Sequence, residues 1–274
     1  MAGVGSAAAD SGLTSCSRNR PATLVAVLVL LPPSETKRVG GDGPPLRIDG
    51  LTSPELEPVR TALVDELIAL AADPEASRRA LGLSASQNAE IDRNAALRTS
   101  PTLPAIERYT GVLYDALDFG SLSAAAAARA RSRLAVGSAL FGLLRADDAV
   151  PAYRLSASSK LPGRPTLAAR WRSELEPVLA RIAEQELVVD LRSGSYAALA
   201  KIPSAVDVDV VAEHADGRRT VVSHFNKAHK GRLARVLATT RAEPADAAAV
   251  AAIARRAGMR VERVQRQLTV VVAG

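Results

Sequence analysis

Aromatic side chains make up only 3% of the 274 residues. Stacking on bases is therefore excluded as the main mode of any nucleic-acid contact, and phosphate contacts would have to dominate. A single cysteine, Cys16, excludes an internal disulfide framework and fits a reducing compartment. The three histidines, His214, His224 and His229, lack ligand spacing, so no metal or other cofactor is expected. No apolar run is long and charge-free enough to span a membrane. Arg18 and Arg20 precede the apolar run Leu24 to Leu31 in the manner of an export signal. That run ends in Pro32-Pro33-Ser34-Glu35 without a small-residue cleavage site and is rich in Val, as a buried strand is. The chain is accordingly expected in the cytoplasm.

What is present is a large apolar fraction, 47%, and a basic balance of 35 Lys and Arg against 29 acids, a formal net charge of +6. An Ala-, Arg- and Val-rich genome supplies such an excess without any anionic partner, so the placement of charge matters more than its sum. From Gly217 onward there are twelve Lys or Arg and three acids, Glu243, Asp246 and Glu262.

Residues 1–22 are small, polar and aperiodic and read as a disordered extension; residues 23–274 read as one domain. Leu24 to Leu31 reads as a first buried strand, followed by a loop to Pro45. Helix signals open at Ser53-Pro54-Glu55 and Asp73-Pro74-Glu75, and resume over Ala85 to Asn94, Leu103 to Tyr114, Ala124 to Ala130 and Ala168 to Glu184. Strands are expected at Leu187 to Leu191, Val206 to Val211, Thr220 to Phe225 and Leu268 to Val272, with helices at Lys227 to Thr239 and Ala245 to Ala257. The elements interleave without a regular βαβ rhythm, which points to an α+β fold, a mixed sheet with surrounding helices.

The sharpest charge cluster is His224-Phe225-Asn226-Lys227-Ala228-His229-Lys230-Gly231-Arg232, at a strand-to-helix turn. Free N–H groups and the helix dipole favour an anion there, and Lys227, Lys230 and Arg232 add to the attraction, although a solvated basic face has the same composition. Arg145, Tyr153, Arg154 and Lys160, with Ser156, Ser158 and Ser159 beside them, form a second basic group. The loop Ser34-Glu35-Thr36-Lys37 follows a buried strand, where α/β proteins place function. It is not a P-loop, because the Gly spacing is wrong and no Gly-Lys-Ser/Thr is present. Ser34 and Lys37 suit a binding role, or a nucleophile and base. Asp207 and Asp209 share one strand face with no partner placed for acid–base work. Leu81-Gly82-Leu83-Ser84 links two short helices as a helix-hairpin-helix does, with Ser84 in place of the usual second Gly.

Taken in order, seven segments resemble the YaaA family of peroxide-stress proteins over nearly the whole chain from about Thr23. They are Leu30 to Lys37, Arg108 to Tyr114, Ser138 to Arg145, Val150 to Leu155, Trp171 in its helix, Asp190 to Tyr196, and Phe225 to Arg232. The resemblance implies a family-specific α+β fold, a basic cleft, a helix-hairpin-helix-like element and DNA binding that limits oxidative damage, linked to intracellular iron. It carries no catalytic mechanism. On this reading Ser34, Lys37, Arg145, Tyr153, Arg154, Lys160, Lys227, Lys230 and Arg232 converge on one cleft and contact phosphates of DNA or another phosphate-bearing ligand. The competing reading is an enzyme acting on a small phosphorylated or nucleotide substrate in the same cleft.

Overall fold

The computed structural model describes residues 26–221 and 225–274, together with Met1. Cys16, the expected N-terminal extension beyond Met1, the first two residues of the expected first strand and His224 lie outside the described residues.

Eleven described strands form two sheets. They are β1 Ala26–Leu31, β2 Gly43–Pro45, β3 Pro101–Pro104, β4 Leu134–Ser138, β5 Gly142–Arg145, β6 Ala149–Val150, β7 Glu186–Asp190, β8 Val206–Glu213, β9 Arg219–Val221, β10 Val261–Val264 and β11 Gln267–Ala273. The main sheet runs β10-β11-β8-β7-β1-β4-β5, with β9 also on β8, and β2-β3-β6 make the smaller one. Strands β4, β1, β7, β8 and β11 are mutually parallel, while β5, β9 and β10 are antiparallel additions. The sheet is therefore mixed, and with the helices around it the fold is α+β.

Strand character follows from position. β1 lies inside the sheet between β7 and β4, so Val27 to Leu31 are all buried and the strand reads as an unbroken apolar run. β8 buries Val206, Val208 and Val210 and leaves Asp207 and Asp209 exposed, the alternation of a strand covered on one face. The helices are α1 Glu57–Ala71, α2 Pro74–Leu81, α3 Asn88–Ala95, α4 Ala105–Arg108, α5 Val112–Leu117, α6 Ala124–Arg133, α7 Leu167–Gln185, α8 Gly194–Ala197, α9 Phe225–Thr239 and α10 Ala247–Arg256. Asp73, Ser123, Thr166 and Asp246 cap α2, α6, α7 and α10 with their side-chain oxygens. No helix among the described residues is long and apolar enough to cross a membrane.

The helix expected from Leu103 to Tyr114 is instead three pieces: part of β3, then α4, then α5. Two contacts outcompete local propensity here. Tyr109 pairs with Lys37 as an isolated antiparallel bridge, and Gly111 takes φ +93°. The apolar segment Ala139 to Leu144 became the turn and second strand of a hairpin, in which Gly142 at φ +72° gives Trp171 room; a Cβ there would lie 2.7 Å from the indole. Phe225, expected at a strand end, begins α9.

Guanidinium groups staple the loops to this core. Arg60, fully buried, donates to the carbonyls of Phe141 (2.9 Å), Ser53 (3.1 Å), Thr52 (2.7 Å) and Leu143 (2.8 Å). Arg108 gathers the carbonyls of Val150, Arg38, Gly40 and Pro101, and Arg133 those of Leu237 and Thr240. Burial lowers the pKa of both Arg60 and Arg108 to about 10, so they remain charged at neutral pH. Much of the basic composition is thus spent on structure.

Candidate functional site

β1 has β4 on one side and β7 on the other, so the chain leaves the two sides of β1 in opposite directions. In an open sheet, ligands bind outside the carboxyl ends of the parallel strands at such a point. A cleft of about 680 Å³ occupies this place. Its walls are the loop after β1 (Pro32 to Thr36), the segment Thr110 to Tyr114, the loop Ser156 to Ser158 and the segment Leu191 to Tyr196 after β7. Asp209 of β8 and Asn226, Lys227 and Lys230 of α9 complete it.

Ser34 holds two walls together. Its hydroxyl donates to the Thr36 carbonyl (2.5 Å) and accepts from the Thr110 N–H (3.2 Å). The Tyr114 hydroxyl donates to the Pro32 carbonyl at 2.9 Å. On the third wall, Arg192 is buried against Asp190, with Nη2 2.8 Å from the carboxylate. The same guanidinium donates to the carbonyls of Tyr196 (3.3 Å) and Ala200 (2.9 Å), which fixes the loop between them. Lys230, 8% exposed, donates to the carbonyls of Leu191 (3.1 Å) and Arg192 (3.4 Å) and so ties α9 to the end of β7. Burial lowers the Lys230 pKa, against the opposing pull of Asp209, Asp190 and Asp207. Lys227, one turn earlier, is exposed and has no ion pair among the described residues.

All four tyrosines of the chain gather around the cleft. Tyr114 and Tyr196 line it, while Tyr109 and Tyr153 are buried behind it. Tyr153 hydroxyl lies 2.8 Å from that of Tyr109 and 2.7 Å from Ser138 Oγ, which itself accepts from the N–H groups of Leu140 and Phe141. Burial raises the pKa of all four phenols, that of Tyr196 to about 12, so they stay protonated at neutral pH.

Of the residues expected to converge, Ser34, Lys227 and Lys230 line the cleft. Lys37 is half-buried behind the wall: Nζ donates to the carbonyls of Ser34 (3.0 Å) and Glu35 (3.3 Å) and lies over the ring of Tyr153 at 4.2 Å. Its pKa falls to about 7, chiefly from burial and then from Arg154, while Glu90 and Glu35 act the other way. Arg154 reaches the rim, paired with Glu35 at 2.7 Å. Lys160 is exposed beyond it, its backbone N–H donating to the Ala80 carbonyl of α2 at 3.2 Å. Arg232 is exposed on α9 outside the lining.

Arg145 does not converge. It sits beside the start of β4 and is paired with Glu186 at the start of β7, at the amino ends of the strands, opposite the cleft. Tyr153 is 1% exposed and its hydroxyl is already satisfied, so it supports the wall and does not present a donor to it. Composition and spacing missed Asp190 and Arg192 as a pair that shapes the site. The visible signal was an acid and a base two apart at the end of a Val-rich strand.

A mixed sheet with a cleft at the carboxyl ends of its inner strands, walled by hydroxyls and lysines, defines an α+β protein whose described residues form a polar-lined cleft. The family model described as "Peroxide stress protein YaaA" matches residues 27–261, and the chain belongs to that family. A UPF0246 protein of Corynebacterium efficiens is 50% identical over 240 residues, which is 86% of this chain and 95% of that relative. A UPF0246 protein of Streptomyces coelicolor is 46% identical over 240 residues, 86% of this chain and 92% of the relative. One of Dinoroseobacter shibae is 33% identical over 211 residues, 72% and 78% of the respective chains.

Proposed function

We propose that the chain is a cytoplasmic peroxide-stress protein that limits oxidative damage by binding DNA through its phosphates, with the cleft at the centre of the contact face. The observation that carries this reading is Lys227. It stands exposed at the cleft on the first turn of α9, where the helix dipole already favours an anion, and has no acid partner among the described residues. Arg145, Arg154 and Arg192, by contrast, are neutralised by Glu186, Glu35 and Asp190.

The face extends along the segment Arg154 to Lys160, which runs from the rim to the end of α2. There the expected helix-hairpin-helix link has no free donor for a phosphate, because the N–H groups of Gly82 and Leu83 both donate to the Arg78 carbonyl and that of Ser84 donates to Gln87 Oε1 at 2.9 Å, so the contact at this end falls to Lys160. The family description supplies the stress context.

Binding of a labelled duplex, followed by fluorescence anisotropy over a salt series, tests this. Affinity should fall linearly on a log–log plot with a slope of about −0.9 per phosphate neutralised. Lys227→Ala should flatten the slope by about one unit, and Arg145→Ala should leave it alone. Identical slopes for Lys227→Ala and the parent chain would remove the basis of the proposal.

A further inference from the structure

We infer that the cleft accepts a single nucleoside monophosphate unit, with its phosphate at the first turn of α9 beside Lys227 and its sugar and base against Tyr114 and Tyr196. This rests on reading the site as a phosphate-binding face and names what enters it.

Three features carry the inference. A volume of about 680 Å³ is the size that encloses one small molecule, so a duplex lies across the mouth and does not enter. Second, the lining is not uniformly basic: Glu35 and Asp209 stand in it together with Lys227 and Lys230. Glu35 is held by Arg154 and Asp209 accepts from Gln267 Nε2 at 3.1 Å, but each carboxylate keeps lone pairs for a further O–H or N–H, so the fitting ligand is anionic at one end and rich in donors at the other. Asn226 Oδ1, buried in the same lining, adds a third acceptor that finds no donor among the described residues. Third, Tyr114 and Tyr196 both stand in the lining, Tyr196 half-buried and Tyr114 stacked on Tyr109 by one face, although the chain is only 3% aromatic, and an aromatic face is what a base requires. A sugar hydroxyl, a base edge and a phosphate on one scaffold satisfy all three.

The test is calorimetric titration of the full chain with 2′-deoxyadenosine 5′-monophosphate, compared with inorganic phosphate and with deoxyadenosine. The nucleotide should bind at least about tenfold more tightly than either half. Lys227→Ala should cost the nucleotide about tenfold, the loss of one charge-assisted contact, and leave deoxyadenosine unchanged. Ser195→Trp, which fills the cleft from one wall, should abolish binding while the circular dichroism spectrum and melting temperature hold; Ser158→Trp fills it from another wall should the first variant not fold. Inorganic phosphate binding as tightly as the nucleotide, or a folded plugged variant that still binds it, overturns the inference. Short single strands with and without a 5′-phosphate separate the two sources of the unit. Preference for the phosphorylated strand assigns the cleft to strand ends, and preference for the free nucleotide assigns it to the small-molecule pool. Duplex binding is measured in parallel on each variant. Duplex binding without nucleotide binding sinks this inference alone, and nucleotide binding without duplex binding sinks the DNA proposal alone.

Discussion

Lys37 Nζ lies 4.2 Å from the centre of the Tyr153 ring, and burial brings its pKa down to about 7. An unfolded lysine titrates near 10.4, so between about pH 7 and 10.4 the unfolded chain binds the extra proton. Stability contributed through this residue therefore rises as pH increases across that window. Lys37→Met removes the buried charge. The variant should melt higher than the parent at pH 6, with the difference shrinking toward pH 10, as thermal melts over a pH series will show.

Asp190→Ala leaves the Arg192 guanidinium buried without its carboxylate. Breaking a buried pair from one side costs about 3–5 kcal/mol, because the remaining charge has no counterpart. Denaturant unfolding should report a loss of that order. Replacement of both residues, Asp190→Leu with Arg192→Met, should be less damaging than the single change.

Gly231 lies where α5 and α9 cross most closely. A Cβ there would collide with the Leu113 carbonyl oxygen and approach the Ala116 side chain. Gly231→Ala should cost about 1–3 kcal/mol as an overpacked contact, despite the better helix propensity of Ala. Urea midpoints check it.

Tyr153→Phe takes away the hydroxyl 2.8 Å from that of Tyr109 and one of the three partners of Ser138 Oγ, which keeps the N–H groups of Leu140 and Phe141. The expected loss is about 1–3 kcal/mol in equilibrium unfolding, with duplex binding retained, because the hydroxyl does not face the cleft.

Where a segment's fate was set by its own pattern, it could be read directly. Ala26–Leu31 is apolar throughout and became an inner strand, and Asp73-Pro74-Glu75 signals a cap and first turn that α2 uses. The stretch 103–114 misled because its helical spacing was overridden from outside, by Lys37 pairing with Tyr109 and by the left-handed turn at Gly111. At the candidate site, Lys227 and Lys230 were legible from charge density on a helix start. Their different roles were not, since spacing cannot say which of two lysines meets the carbonyls at the end of β7.

By itself, the sequence determined the α+β class, the family and the placement of Lys227 and Lys230 in the first turns of a helix. These are local or compositional properties, set by side-chain periodicity and residue type. Only the tertiary structure decided which cations are available. A guanidinium buried among carbonyls or beside a carboxylate has exchanged water for fixed partners, and partners 119 residues apart, as Arg154 and Glu35 are, become neighbours only when the chain folds. That assembly withdrew Arg145 from the site, tied Lys230 to the wall and left Lys227 open.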